Sequence, residues 1–398
     1  MSKKRQQNGF AVYALAFGNF AAGISSLIVA GISSEMAMDL GVSVAKVGQL
    51  VTVFALVYAI GSPLVSAMTG KTERRGLLIA GMSMVLVGNG ILALANDYAL
   101  AVSGRIISAI GSAAFVPLAA LVGISMAVKG NKGRITAIVF SGAVIATAVG
   151  VPLGTFIGIN FDWHYSFGAV SVLALISILL ILGMVPLRIK TPIANFNTLK
   201  QVFKDRLLTI FLAVTVLQFG GQMVLFAFIS PWLIETTSLG PMGIVTMLLL
   251  AGLGGMVGNF ITGRATDRYG SRATQLVLIV LLVGIMPLLN LMGHNLFLGG
   301  ALIFLWGLVG QGFVAPQLVR IESVNPPLSS ASLSLNATFI NIGISLGAII
   351  GGTFLDNFGV ESLTWAATGV VLLSLLVFLY SWKIEDKCLK ANVLLTDS

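Results

Sequence analysis

Ser103–Phe115 reads SGRIISAIGSAAF, a small-residue segment with one arginine, Arg105, inside an apolar run from about 99 to 126. A bilayer core of about 30 Å is crossed by roughly 20 apolar helical residues, so the run predicts a membrane span. A charge inside such a span costs roughly 2.5–3.5 kcal/mol on insertion scales and marks a residue with a task. Outward from this stretch, eleven more apolar segments follow the same rule. The twelve fall at about 10–33, 47–69, 76–96, 99–126, 135–159, 165–186, 207–234, 241–262, 273–293, 296–319, 331–355 and 363–382.

Composition agrees with that count. The chain is 57% hydrophobic and 9% charged, with mean hydropathy +1.00, whereas a soluble domain carries about 25% charged residues. The apolar runs are continuous, which predicts helices; a β-barrel would alternate over short segments. The basic N-terminus Met1–Arg5 precedes a run longer than a signal core, so it is read as leading into a retained first span. One cysteine, Cys388, excludes an intramolecular disulfide, and two histidines, His164 and His294, far apart in sequence, argue against a Cys/His metal site. No cofactor is expected.

An even span count puts both termini on one side. The N-terminus, the even-numbered loops and the C-terminal tail hold 21 of the 23 Lys and Arg; Lys46 alone lies in the opposite loops and Arg105 lies in a span. This bias predicts cytoplasmic termini in a cytoplasmic (inner) membrane. The +9 net charge is thus a topology signal, and no basic domain for nucleic acid stands out.

A shift of 197 residues superposes Gly61 on Gly258, Lys71 on Arg268, Arg75 on Arg272, Ala146 on Gly343, Gly150 on Gly347 and Gly154 on Gly351. The expected architecture is therefore all-α, with twelve transmembrane helices in two pseudo-symmetric six-helix bundles, residues 1–187 and 207–398. A cytoplasmic linker over 188–206 joins them, and the second bundle ends in a short cytoplasmic tail. Parallel halves with a site between them suit alternating access.

Several motifs stand out on this frame. Gly263–Arg272, GRATDRYGSR, joins spans eight and nine; its related copy in the first half contains Lys71, Arg74 and Arg75. Glycines suit a tight two-helix turn, and Asp267 among Arg264, Arg268 and Arg272 can form ion pairs that hold one state closed; a plain basic loop is the simpler alternative. Span five carries Gly142, Ala146, Gly150, Gly154 and Gly158 at four-residue spacing, a face for close helix contact. Pro152 cannot donate to the Ala148 carbonyl, which predicts a bend. Arg105 and Gly150 lie at comparable depth, roughly 9 and 13 Å from one face. Arg105 is therefore expected to donate to span-five carbonyls loosened by Pro152, with snorkelling to the interface as the alternative.

The whole chain resembles the major facilitator superfamily, closest to its twelve-span drug:proton antiporter and sugar (arabinose) efflux permease-like branch. The resemblance is carried by the GRATDRYGSR loop with Gly263, Asp267, Arg268, Gly270 and Arg272, by AVGVPLGT (Ala148–Thr155), by Arg105 with Gly111, by GISSEMAMDLGVS (Gly31–Ser43) and by LNATFINIGISLGAIIGG (Leu335–Gly352). It implies export of small organic molecules, with protons as possible counter-substrate, membrane lipid as surroundings and a monomeric chain. Gating or coupling roles fall to Arg105, Gly111, Gly150, Pro152, Gly154 and Glu35. Several members of that branch carry a glutamate where this chain has Ser26. No carboxylate is expected deep in a span, which leaves a proton-independent facilitator or exchanger open; Glu35 is the best remaining proton carrier, with a solvated loop acid as the simpler reading. Polar residues on spans one, four, seven and ten are the substrate-binding candidates: Asn19, Ser25 and Ser26; Arg105; Gln218 and Gln222, which sit four apart on one face; Gln311 and Gln317; with Trp232 and Trp306 nearby, joined by Asn336 and Asn341 of span eleven. An embedded enzyme would need a catalytic cluster at membrane depth, and none is legible.

Overall fold

Helix starts are written into the local sequence. Ser43, Glu73, Asp97, Asp162, Asp205 and Asn295 each accept backbone N–H bonds at the head of the next helix, satisfying donors that have no partner within the helix. The computed structural model describes residues 2–69, 72–126, 132–187, 196–237, 239–292 and 295–396. Lys71, His294 and residues 188–195 of the expected linker lie outside these.

Among the described residues, twelve helices are long and apolar enough to cross a membrane. In order they are Phe10–Gly31, Val44–Val65, Arg74–Leu92, Tyr98–Ser125, Arg134–Asn160, Trp163–Met184, Arg206–Phe226, Pro241–Tyr269, Ser271–Met292, Leu296–Val324, Ala331–Phe358 and Ser362–Asp386. Three details differ from the sequence expectation. Span seven, expected as one helix over 207–234, breaks at Ala227–Phe228 and resumes as Ile229–Thr237. A short helix, Ser33–Asp39, follows span one. The bend at Pro152 is a π-helical turn over Ala146–Gly150, because a missing N–H lets the ladder widen by one residue.

Packing repeats between halves. Span one lies on five and six as seven lies on eleven and twelve; two lies on four as eight on ten; three lies on four and six as nine on ten and twelve. Glycines set the closest contacts. Gly142, Gly150 and Gly154 of span five meet Ala16, Ile24 and Ile28 of span one, and Gly158 meets Ile32 just beyond its end. Gly343, Gly347 and Gly351 of span eleven meet the Val216, Gly220 and Val224 carbonyls of span seven. Gly23 lies against Ala146 and Gly220 against Gly343, the same pair displaced by 197 residues. Backbones can approach this closely only without a Cβ, and in lipid such van der Waals contact drives helix association.

The bundles join across spans two and eleven and across five and eight. On the face opposite the termini one buried cluster holds Ile28, Ile32 and Leu50 of the first half together with Phe228, Trp232 and Leu363 of the second. Toward the face bearing the termini the cores separate: Leu15, Met82, Phe115 and Ile181 in one, Leu208, Phe211, Ile321 and Leu335 in the other. The two bundles thus share a core on one face and keep separate cores on the other.

Candidate functional site

The site lies where this joint ends, between spans five, seven, eight and ten. A cavity of about 50 Å³ is lined there by Thr147 and Val151 from the first bundle and by Gln222, Phe226, Trp306 and Gln311, among others, from the second. Room for a few waters is what that volume represents. Gln222 donates to the Gln218 carbonyl at 3.3 Å and its side chain packs on Gly310. Trp306 is buried, its ring 6.0 Å from that of Phe226, and its indole N–H has no partner among the described residues.

The other binding candidates are dispersed. Gln218, a binding candidate with Gln222, is fully buried and accepts from Ser374 of span twelve at 3.4 Å. Asn19 donates to Val139 O, tying span one to span five, and Asn336 accepts from Thr215. Trp232 sits in the core that closes the opposite face. Asn341, half-buried, donates to its own helix at Ala337 O. Ser26 donates to Gly23 O.

Arg105 is fully buried, which removes the snorkelling alternative. Its partners also correct the span-five expectation. Nε donates to Leu50 O at 3.1 Å, Nη2 to Ser26 O at 3.1 Å and Nη1 to Ser25 O, while the guanidinium lies 4.3 Å from the Phe54 ring centroid. Each carbonyl serves a helix with one lone pair and Arg105 with the other. The side chain thus clamps span four to spans one and two without a carboxylate. Ser25 extends the clamp to span three through Asn89, whose amide donates to Ser25 Oγ at 2.9 Å. Gly111, further along span four, packs on the Gly81 carbonyl of span three.

Arg105 is not the only buried cation. Arg320 is also fully buried, because span ten continues past the residue 319 expected as its end. It donates to Glu385 Oε2 through Nε and Nη2 at 3.2 and 2.9 Å, to Ser381 Oγ at 2.8 Å and to Gln275 Oε1 at 3.2 Å. Phe211 and Phe378 flank it at 4.1 and 4.6 Å. Gln275 donates on to Gln317, whose amide reaches Phe211 O and Thr215. Spans seven, nine, ten and twelve meet in this network, and Asn336 brings in span eleven through Thr215. A sequence signal existed: Gln317 with Arg320, and Ser381 with Glu385, sit three and four apart on one helix face.

The loop motif forms a turn at Gly270, whose φ of +83° favours glycine. Asp267 is exposed and forms no ion pair among the described residues, contrary to expectation; Arg272 instead pairs with Glu385 at 2.7 Å and Asp386 at 2.8 Å. Arg268 lies beside Tyr269, and Gly263 has open space around it. In the first half Arg74 donates to Thr69 O and Arg75 to Leu182 O. Glu35, in the short helix after span one, is half-buried; one carboxylate oxygen has no partner among the described residues, and burial pushes its pKa above the ordinary carboxylate value.

Residues 15–332 match the family model described as Major Facilitator Superfamily. The chain is 30% identical over 376 residues to "Uncharacterized MFS-type transporter YbcL" of Bacillus subtilis, covering 93% of this chain and 96% of that one. It is 29% identical over 353 residues to "Inner membrane transport protein YdhP" of Escherichia coli K12, covering 87% and 89%. Among solved structures, a point mutant of the nucleoside transporter NupG superposes with TM-score 0.78 at 14% identity, over 95% of this chain and all of that one. The human organic anion transporter MFSD10 (TETRAN) does so with TM-score 0.71 at 15% identity, with the same coverage. These last two likenesses concern the fold alone.

Proposed function

The chain belongs to the Major Facilitator Superfamily, a family of secondary transporters, and on that premise we propose that it exports small organic molecules by rocking its two six-helix bundles about the central cavity. One observation carries this reading: the bundles share a buried core on one face and keep separate cores on the other, as one end-state of alternating access requires. Efflux is favoured by the resemblance of the Arg105 segment, AVGVPLGT and the loop motif to the drug and sugar efflux branch. The Lys/Arg bias supports cytoplasmic termini in the inner membrane, so the separated face opens to the cytoplasm. Proton exchange is assigned to Glu35, a partly buried carboxylate at the joined face. The second reading, a proton-independent facilitator, is favoured by the span interiors: Glu385 lies at the terminal end of span twelve and is held by two arginines.

A cross-link tests the mechanism. A Cβ placed on Gly352 of span eleven lies 3.6 Å from the Ala45 Cβ of span two, within the disulfide range of about 3.5–4.5 Å. In a Cys388→Ser background, Ala45→Cys/Gly352→Cys should lock the joined face. Uptake into inside-out vesicles over a compound panel, with and without a pH gradient, should depend on the gradient, stop on oxidation and return with reductant. Uptake that survives complete cross-linking overturns the rocking mechanism; indifference to the gradient selects the facilitator.

A further inference from the structure

We infer that the central cavity recognises an uncharged hydrogen-bonding group of the substrate, a hydroxyl, carbonyl or amide, through the Trp306 indole N–H and the Gln222 and Gln311 amides. The inference rests on the transporter reading above and specifies its substrate class.

The first observation is an unfilled donor. Trp306 is 3% exposed, and its N–H has no partner among the described residues. A buried donor left unpaired costs free energy that a ligand acceptor recovers. The side-chain amide of Gln311 also makes no hydrogen bond among the described residues, and Gln222 uses one of its two N–H donors. An amide offers donor and acceptor together, which matches a hydroxyl or carboxamide rather than an ion. Thr147 lines the cavity from the other bundle; its hydroxyl proton goes to Ala143 O at 3.2 Å, which leaves lone pairs on the oxygen but no free donor. Phe226 and Val151 supply flat apolar walls.

The second observation excludes charge. The two fully buried cations among the described residues, Arg105 and Arg320, are consumed inside their own bundles. Arg105 is spent on three backbone carbonyls and the Phe54 face. Arg320 is spent on Glu385, Gln275 and Ser381. Neither lines the cavity, and no titratable side chain among the described residues does. An anion or cation brought to this depth would lose its hydration without a counter-charge, a heavy penalty. The remaining attraction for a cation is the face of Trp306 or Phe226.

Three probes on one scaffold separate these cases: 2-(4-nitrophenyl)ethanol, neutral; 4-nitrophenylacetic acid, an anion at pH 7; and 2-(4-nitrophenyl)ethylamine, a cation. Calorimetric titration of the full chain in lipid nanodiscs should show the alcohol binding at least ~10-fold tighter than either ion. Trp306→Phe keeps an aromatic ring and removes the N–H; it should weaken the alcohol by about 5- to 10-fold, the size of one hydrogen bond. Gln311→Leu should do the same, and an unchanged melting temperature in either variant excludes misfolding as the cause. An ion bound as tightly as the alcohol, alcohol binding indifferent to both substitutions, or no saturable binding of any probe overturns the inference. The cross-link experiment is read independently: transport blocked by oxidation together with unselective probe binding rejects the substrate class and leaves the transporter reading standing.

Discussion

Arg105 shows how a guanidinium is housed at depth without an acid. Three charge-assisted bonds to helix carbonyls and a ring face replace the carboxylate. The arrangement depends on the planar fork, so Arg105→Lys leaves a buried charge with at most part of its partners. At about 1.5–3 kcal/mol per charged hydrogen bond, Arg105→Lys should lower unfolding stability by roughly 3 kcal/mol or more. Arg105→Met should cost less, since the carbonyls keep their helix bonds and no charge is stranded. The opposite order in thermal or denaturant unfolding would show that the clamp is not the source of stability. Glu35 gives a second prediction. Desolvation raises its pKa, so the protonated form favours the closed arrangement. Closure is unopposed at low pH and is weakened as pH rises through the raised pKa, above the ordinary carboxylate range. Asp39, Lys46 and Glu235 on neighbouring segments form no ion pair with Glu35 among the described residues. Glu35→Gln should flatten the pH dependence of maleimide labelling at Ala45→Cys, in the Cys388→Ser background; an identical pH response in parent and variant would remove Glu35 from the mechanism.

At the scale of elements, the glycine stripes decide which helices touch. A Cβ on Gly142 would run into the Ala16 carbonyl of span one, whereas one on Gly263 meets nothing within 4 Å. Gly142→Val is therefore expected to cost about 1–3 kcal/mol by overpacking. Gly263→Ala should be neutral or slightly stabilising, since alanine is the better helix residue. Melting temperatures of the two variants check this, and equal losses would mean that the stripe does not set the contact. The stripes were legible from four-residue spacing alone, but their partner was not: span one, rather than any sequence neighbour, receives Gly142, Gly150 and Gly154. The π-helical turn before Pro152 was legible only as a bend.

Across the whole molecule, Phe228 at the break of span seven is the wedge of the joint. It lies against Gly48 of span two and against Gly351 and Gly352 of span eleven. Phe228→Ala removes a buried ring that touches both bundles, at a typical cost of about 3–5 kcal/mol. Part of that loss falls on the closed arrangement only, and each 1.4 kcal/mol shifts a two-state population about tenfold. Labelling of Ala45→Cys by an impermeant maleimide added on the side of the joined face should therefore accelerate at least tenfold in Phe228→Ala, again in the Cys388→Ser background. Unchanged labelling would place the closure elsewhere.

The membrane class, the twelve helices and the duplication were all legible in the bare chain, because they follow from hydropathy, spacing and a constant offset, which are local or periodic quantities. Arg105 was legible too, since one charge in an apolar run is visible without coordinates. What such residues do was settled by packing in three dimensions. Packing turned Gln218 to span twelve and Gln222 to the cavity, led Arg105 to spans one and two instead of five, and brought Arg320 to Glu385 across 65 residues. Hydrogen-bond partners of buried groups come from helices adjacent in space, and that adjacency is set by which glycine faces meet, a property of pairs of helices that no single segment contains.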